Sequence, residues 1–181
     1  QLSRGLGDVY KRQDYIYEGK VAYLKPGQRM TVESLLEFIL IYSANDACFA
    51  VVQLFSENID DFLNLMNKKA RVLGMNNTNF KNPDGLDEEG HFTTLNDLLI
   101  LSKEVINNYE LLSIIMRQSF ISNIEGEDKV YLNTNKLIDR NFYGLKTGWT
   151  NNAGLTFIGL NQSNDRNILT IVNKSFVNEK K

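Results

Sequence analysis

The sequence predicts a one-domain α+β fold, with helices first and antiparallel strands after them. Three observations carry this. Up to about residue 116 the apolar residues recur at helical spacing, and the breaks between runs carry helix caps. Beyond that point the period shortens to two, in pairs of runs separated by polar turns. Strands never alternate with helices, so a parallel βαβ sheet is not expected. The length of 181 residues, 43% hydrophobic and 23% charged, suits a single domain that buries a core.

The opening stretch stands apart. GLGDVYKRQ has neither apolar period and joins abruptly to DYIYEGKVAYLKPGQ. DVYKRQ resembles a translated transposon-end adapter of the kind used in DNA library preparation. Residues 1–13 are therefore read as non-native and left out of the fold, the alternative being a disordered native terminus. YLKPGQRMTV then reads as an extended segment, a turn at Pro26 and Gly27, and a helix start with Thr31 as N-cap. Glu33 follows at the positive end of that helix. VESLLEFILIY is apolar on nearly every side, as in a buried helix. The polar tetrapeptide SAND interrupts it before ACFAVVQLF resumes as a second helix. Polar groups between two buried helices must find partners or cost stability.

IDDFLNLMNKKARVLG is amphipathic, with Phe62, Met66, Ala70 and Leu73 on one stripe and Gly74 as its stop. MNNTNFKNPDGLDEEGHF is a long loop with an Asn-Pro-Asp-Gly turn, and a loop of that length is functional or tied down. TTLNDLLILSKEVINNY is a helix capped by Thr94 with Asp97 three residues on, and ELLSIIM is a short helical piece. RQSFISNI and KVYLNT flank EGED as a hairpin. GLTFIGL and NILTIVN flank NQSNDR as a second, and YGLKTG is the strand beside it, which places Lys146 at a strand end. The closing SFVNEKK lacks a clear cap and reads as a further truncation.

Composition removes several function classes. The net charge of −2 supplies no basic field for nucleic acid. Cys48 is the only cysteine, which excludes an internal disulfide and a cysteine-based metal site. His91 is the only histidine, which excludes a multi-histidine metal site and any Ser-His-Asp triad without it. Asp87, Glu88 and Glu89 are consecutive and lack EF-hand spacing, so they read as a solvated loop. The NKKAR run reads as an exposed helix face. No apolar run is long enough to span a bilayer, and no signal peptide is visible. No metal or organic cofactor is implied.

Two short motifs carry chemistry. YSAND sets Ser43 and Asn45 at i and i+2; KTG sets Lys146, Thr147 and Gly148 in a row, with Trp149 next. Taken singly, each residue has a plain reading. Ser43 is a helix N-cap, Asn45 a turn residue, Lys146 a solvated charge and Trp149 a core or pocket-wall residue. Cys48 reads as a small buried residue and His91 as structural in its loop. Taken together, Ser-x-Asn and Lys-Thr-Gly are two of the three elements of the penicillin-recognising serine enzymes, whose third is Ser-x-x-Lys. LKPGQRMTVESLLEFILIYSANDACFAVV, LMNKKARVLGMNNTNFKNPDGL and YGLKTGWTNNAG resemble the serine-type D-alanyl-D-alanine carboxypeptidases, the low-molecular-mass penicillin-binding proteins of peptidase family S11. The resemblance runs from about Val21 to Val172 and includes the separation of Asn45 from Lys146.

That resemblance implies a β-lactamase/transpeptidase-like fold, an antiparallel sheet flanked by helices, with a helical subdomain bearing Ser43 and Asn45. It implies hydrolysis of the terminal D-Ala from peptidoglycan stem peptides through a serine acyl-enzyme, with β-lactams as inhibitors. Ser43 would relay a proton, and Asn45 would offer its amide to the substrate and to the nucleophile's lysine. Lys146 and Thr147 would hold the substrate carboxylate, Gly148 would let the strand edge approach, and Trp149 would join the substrate-binding group. The substrate places the protein in the periplasm or otherwise outside the cytoplasm, and membrane association is left open for a full-length protein. No serine in the chain has a lysine three positions on. Residues 14–181 are therefore expected to be an N-terminally truncated, incomplete catalytic domain, inactive by itself. Two alternatives stand beside this. A class A-type β-lactamase would need a glutamate-activated water, for which only Glu104 in EVINN has the spacing. A non-catalytic peptidoglycan- or penicillin-binding protein would keep the pocket without the nucleophile.

Overall fold

The computed structural model describes residues 6–8, 18–124, 126–140, 142–163 and 166–175. Residues 1–5 and 9–13 of the stretch read as non-native, and residues 176–181 of the C-terminal tail, lie outside the described residues. Between them, β1 (Leu6–Asp8) pairs antiparallel with β2 (Arg29–Thr31), an element that the sequence reading did not assign.

Local chemistry sets the helix boundaries. The Pro26–Gly27 turn closes through Gln28 N–H donating to Lys25 O at 3.0 Å, with Gly27 at φ +79°. Thr31 is extended and its side chain accepts from Ser34 N–H, which starts α1 (Val32–Glu37). The single helix expected over VESLLEFILIY is two geometries, because residues Phe38–Tyr42 form a π-helical turn. α2 (Asn45–Phe55) begins inside the polar tetrapeptide. α3 (Ile59–Leu73) starts at Asn58, which accepts from Asp61 N–H, and stops at Gly74, φ 87°. α4 (Leu95–Asn107) is capped by Thr94, and α5 (Tyr109–Ile115) by Asn108. The long loop between α3 and α4 is tied down by asparagines and a carboxylate. Asn67 grips both backbone groups of Phe80 at 2.8 and 2.9 Å, and Asp97 accepts from Asn77 N–H and Thr78 Oγ1 at 2.8 and 2.7 Å.

Strands follow as two separate antiparallel units. β3 (Ser119–Asn123) and β4 (Asp128–Leu132) form the first hairpin. β5 (Phe142–Thr150), β6 (Gly154–Ser163) and β7 (Arg166–Ser175) form a sheet in that order, with β5 at one edge. Strand structure runs on into the expected turn NQSNDR, of which residues 164 and 165 lie outside the described residues. Lys146 is not at a strand end. β5 continues past it because Thr147, Gly148, Trp149 and Thr150 each pair with β6, and the irregularity in the ladder lies before it, between Tyr143 and Lys146.

The core sits between the helical hairpin and the β3–β4 hairpin. Leu35, Phe38 and Ile41 are fully buried, and Ala44, Ala47 and Ala50 let α2 approach closely. Phe38 meets Phe120 and Tyr131 edge-on, both at 4.8 Å, and Tyr131 meets Tyr42 edge-on at 5.0 Å. This aromatic cluster braces the turn that carries Ser43. Arg117 adds a polar tie, donating to Glu37 at 2.5 Å and to Glu33 at 3.0 Å.

Candidate active site

Ser43 ends the π-helical turn in a left-handed conformation, φ 65° and ψ 44°. A non-glycine residue there carries strain of about 1 kcal/mol, held in place by its surroundings. Its N–H donates to Phe38 O, as does that of Ala44 at 2.9 Å. Asn45 opens α2 and so is not on a loop. Its backbone N–H donates to Lys20 O at 2.8 Å and its side-chain amide to Glu18 O at 2.7 Å. Asp46 is buried and accepts from Ala22 N–H, Leu24 N–H and Ala47 N–H at 2.9–3.1 Å. The tetrapeptide thus solves its own burial problem, by fastening the extended segment before β2 to the start of α2.

Lys146 reaches this turn from β5. Its Nζ donates to Ser43 Oγ at 2.7 Å and to Thr147 O at 2.7 Å. Thr147 Oγ1 donates to Thr134 Oγ1 at 2.7 Å. Thr134 is placed by its N–H donating to Ile41 O at 3.0 Å, and by two flanking amides. Asn133 donates to Ile115 O and Arg117 O, and buried Asn135 donates to Phe142 O and Gly144 O. Residues 133–135 therefore fix the π turn, α5 and β5 to one another.

Electrostatics make Lys146 versatile. Burial lowers its pKa to about 8, with Cys48 opposing that shift and the charge of Lys20 adding to it. An amine in this range exchanges its proton near neutral pH. Protonated, it can hold a carboxylate; neutral, it can take the Ser43 hydroxyl proton. No carboxylate forms an ion pair with it among the described residues.

The structure thus joins Ser43, Lys146 and Thr147, which are far apart in the chain. Asn45 lies beside them, 9% exposed, with its amide turned to Glu18. Gly148 is exposed, and a Cβ there would stand 2.6 Å from Thr156 Oγ1, so close packing on β6 also demands glycine. Trp149 is not a core residue. It is 64% exposed, opposite Leu155 of β6. Cys48 is half-buried, its Sγ 3.6 Å from Ala44 O, and desolvation pushes the thiol up to about 12, so it stays a protonated thiol. His91 lies edge-on to Phe80 at 5.9 Å, with burial lowering its pKa. Asp87, Glu88 and Glu89 are exposed, and the described residues hold no metal-binding cluster. Glu104 lies on the exposed side of α4, paired with Lys69 at 3.3 Å. Sequence reasoning missed Thr134 and Lys20. The signal for Thr134 was three consecutive hydrogen-bonding residues, Asn-Thr-Asn, after an alternating strand; Lys20 had none.

Comparison with known proteins bears on this site. The family model described as D-alanyl-D-alanine carboxypeptidase matches residues 7–176. The D-alanyl-D-alanine carboxypeptidase DacF of Bacillus subtilis is 41% identical over 141 residues, 75% of this chain. The chain spans 36% of that relative's length. The crystal structure of a D-alanyl-D-alanine carboxypeptidase from Mycobacterium tuberculosis superposes with a TM-score of 0.88 at 28% identity, covering 99% of this chain and 68% of that one. Penicillin-binding protein D2 of Listeria monocytogenes, solved in a cefotaxime-bound form, gives 0.76 at 29% identity, covering 91% and 67%.

Proposed function

Because the chain belongs to the family of D-alanyl-D-alanine carboxypeptidases, we propose that it carries the carboxylate-binding and proton-relay part of a serine D-Ala-D-Ala carboxypeptidase site. The observation that carries this reading is the 2.7 Å hydrogen bond from Lys146 Nζ to Ser43 Oγ. It joins a desolvated cation to a hydroxyl held in a strained turn, which is what a relay between a nucleophile and a leaving amine needs. The terminal carboxylate of a stem peptide would lie against Lys146 and Thr147, and the exposed edge of β5 would pair with the peptide backbone. A nucleophilic serine with its own lysine must join this site for hydrolysis, and these 181 residues hold no Ser-x-x-Lys. β-Lactams would occupy the same site as inhibitors. The substrate is peptidoglycan, so the working compartment is the periplasm or another extracytoplasmic space.

The test is non-covalent binding by calorimetry, with an acyl-D-Ala-D-Ala peptide and its C-terminal amide. The free acid should bind about tenfold or more tightly than the amide, the value of a partly buried charge-assisted contact. Lys146→Met should erase the difference. Equal affinity for acid and amide in the unaltered chain would remove this reading.

A further inference from the structure

Lys20 lies outside both motifs, and its ammonium packs on the residue next to Ser43. Its Nζ stands 3.6 Å from the centroid of the Tyr42 ring, and Tyr42 immediately precedes Ser43. The backbone around Lys20 is fixed. Asn45 donates to Lys20 O and to Glu18 O, and Gly19, at φ +78°, leaves an added Cβ only 2.8 Å from the Asn45 amide nitrogen. Residues 18–20 are therefore clipped to the first turn of α2, and the Tyr42 ring, braced by Tyr131, directs the ammonium. A ring face attracts a cation without neutralising it.

Neither lysine has an ion-pair carboxylate among the described residues. Their proton affinities agree with that. Burial alone lowers that of Lys20; for Lys146 burial comes first, then Cys48 acting the other way, then the charge of Lys20 itself. The two ammonium groups, without a carboxylate partner among the described residues, repel each other in the free protein. A ligand with two anionic groups relieves both.

We propose that Lys20 is a substrate-contacting residue that takes a second carboxylate, upstream of the terminal carboxylate held by Lys146. The site then selects acyl-D-Ala-D-Ala peptides that carry an additional acidic group. This rests on the carboxypeptidase-site reading above and adds a specificity to it.

The experiment compares two acyl pentapeptides ending in D-Ala-D-Ala. One has a free carboxylate on its second residue; in the other that group is amidated. Both are titrated calorimetrically into the 181-residue chain at pH 7. The acid should bind about tenfold more tightly, the difference one charge-assisted contact makes, and salt should narrow the gap. Lys20→Met should abolish the gap between the two peptides, and Lys20→Arg should keep it. The Lys20 side chain is exposed, and matching circular dichroism spectra verify that the variants fold. Equal affinity of the two peptides for the unaltered chain, or a preference that survives Lys20→Met, overturns the inference. Binding of both peptides that depends on Lys146 but not on Lys20 overturns it while leaving the carboxypeptidase-site reading intact. Binding of neither peptide overturns both.

Discussion

Lys146 is a cation kept where the unliganded protein would be better without one. Its pKa falls from 10.5 to about 8, chiefly through burial. Between those values the unfolded chain binds more protons than the folded one, so stability rises with pH across that window. Below about pH 8 the full penalty is present. Lys146→Met should therefore stabilise the unliganded chain at pH 7 by about 1–2 kcal/mol, while removing carboxylate binding. Urea midpoints at pH 7 and pH 10 would show it, with the gain shrinking at the higher pH. A variant less stable at pH 7 would mean that the hydrogen bonds to Ser43 and Thr147 outweigh the burial cost. Carboxylate binding by the unaltered chain should weaken as pH rises through about 8, as the ammonium loses its proton. The residue types of this pair were readable from the chain, since Ser-x-Asn and Lys-Thr-Gly are short motifs. Lys20 was not readable, because its place depends on a backbone path set by Asn45 and Asp46.

At the scale of elements, the caps were the most legible features. Thr31, Gly74 and Thr94 act where the sequence places them, because capping involves groups within a few residues of one another. The π-helical turn was not legible. It depends on Phe38 and Ile41 being pulled into the aromatic core while Ser43 is forced left-handed, and both are long-range effects. Asp46 shows how one side chain can organise two elements. Removing it by Asp46→Ala leaves Ala22 N–H and Leu24 N–H without their acceptor and should cost about 2–4 kcal/mol. Chemical denaturation measures that loss, and hydrogen exchange should speed up first across residues 18–24. Exchange unchanged there would mean that the segment is held by its packing rather than by the carboxylate.

For the molecule as a whole, the site exists only because the sheet docks on the helices, bringing together residues 103 apart in sequence. Gly144 governs that docking. At φ +44° it lies so close to α5 that an added Cβ would overlap Ile115 Cγ2. Gly144→Ala should destabilise the chain by about 2–4 kcal/mol and weaken binding of D-Ala-D-Ala peptides, since the same displacement moves Lys146. A thermal melt with a binding titration on one sample tests both effects. The chain alone should show no penicilloyl mass shift after incubation with benzylpenicillin, because it holds no Ser-x-x-Lys; a stable adduct in an intact-mass spectrum would contradict that. Periodicity, caps and turn residues, all short-range, were enough to mark the helices and the two hairpins, and the resemblance carried by Ser-x-Asn and Lys-Thr-Gly named the residue types of the site. Distance and burial belong to the assembled chain. Packing places Lys146 in mid-strand against Ser43, lowers its proton affinity, leaves Trp149 exposed and adds Lys20 and Thr134, because each of these depends on contacts between segments that no local pattern encodes.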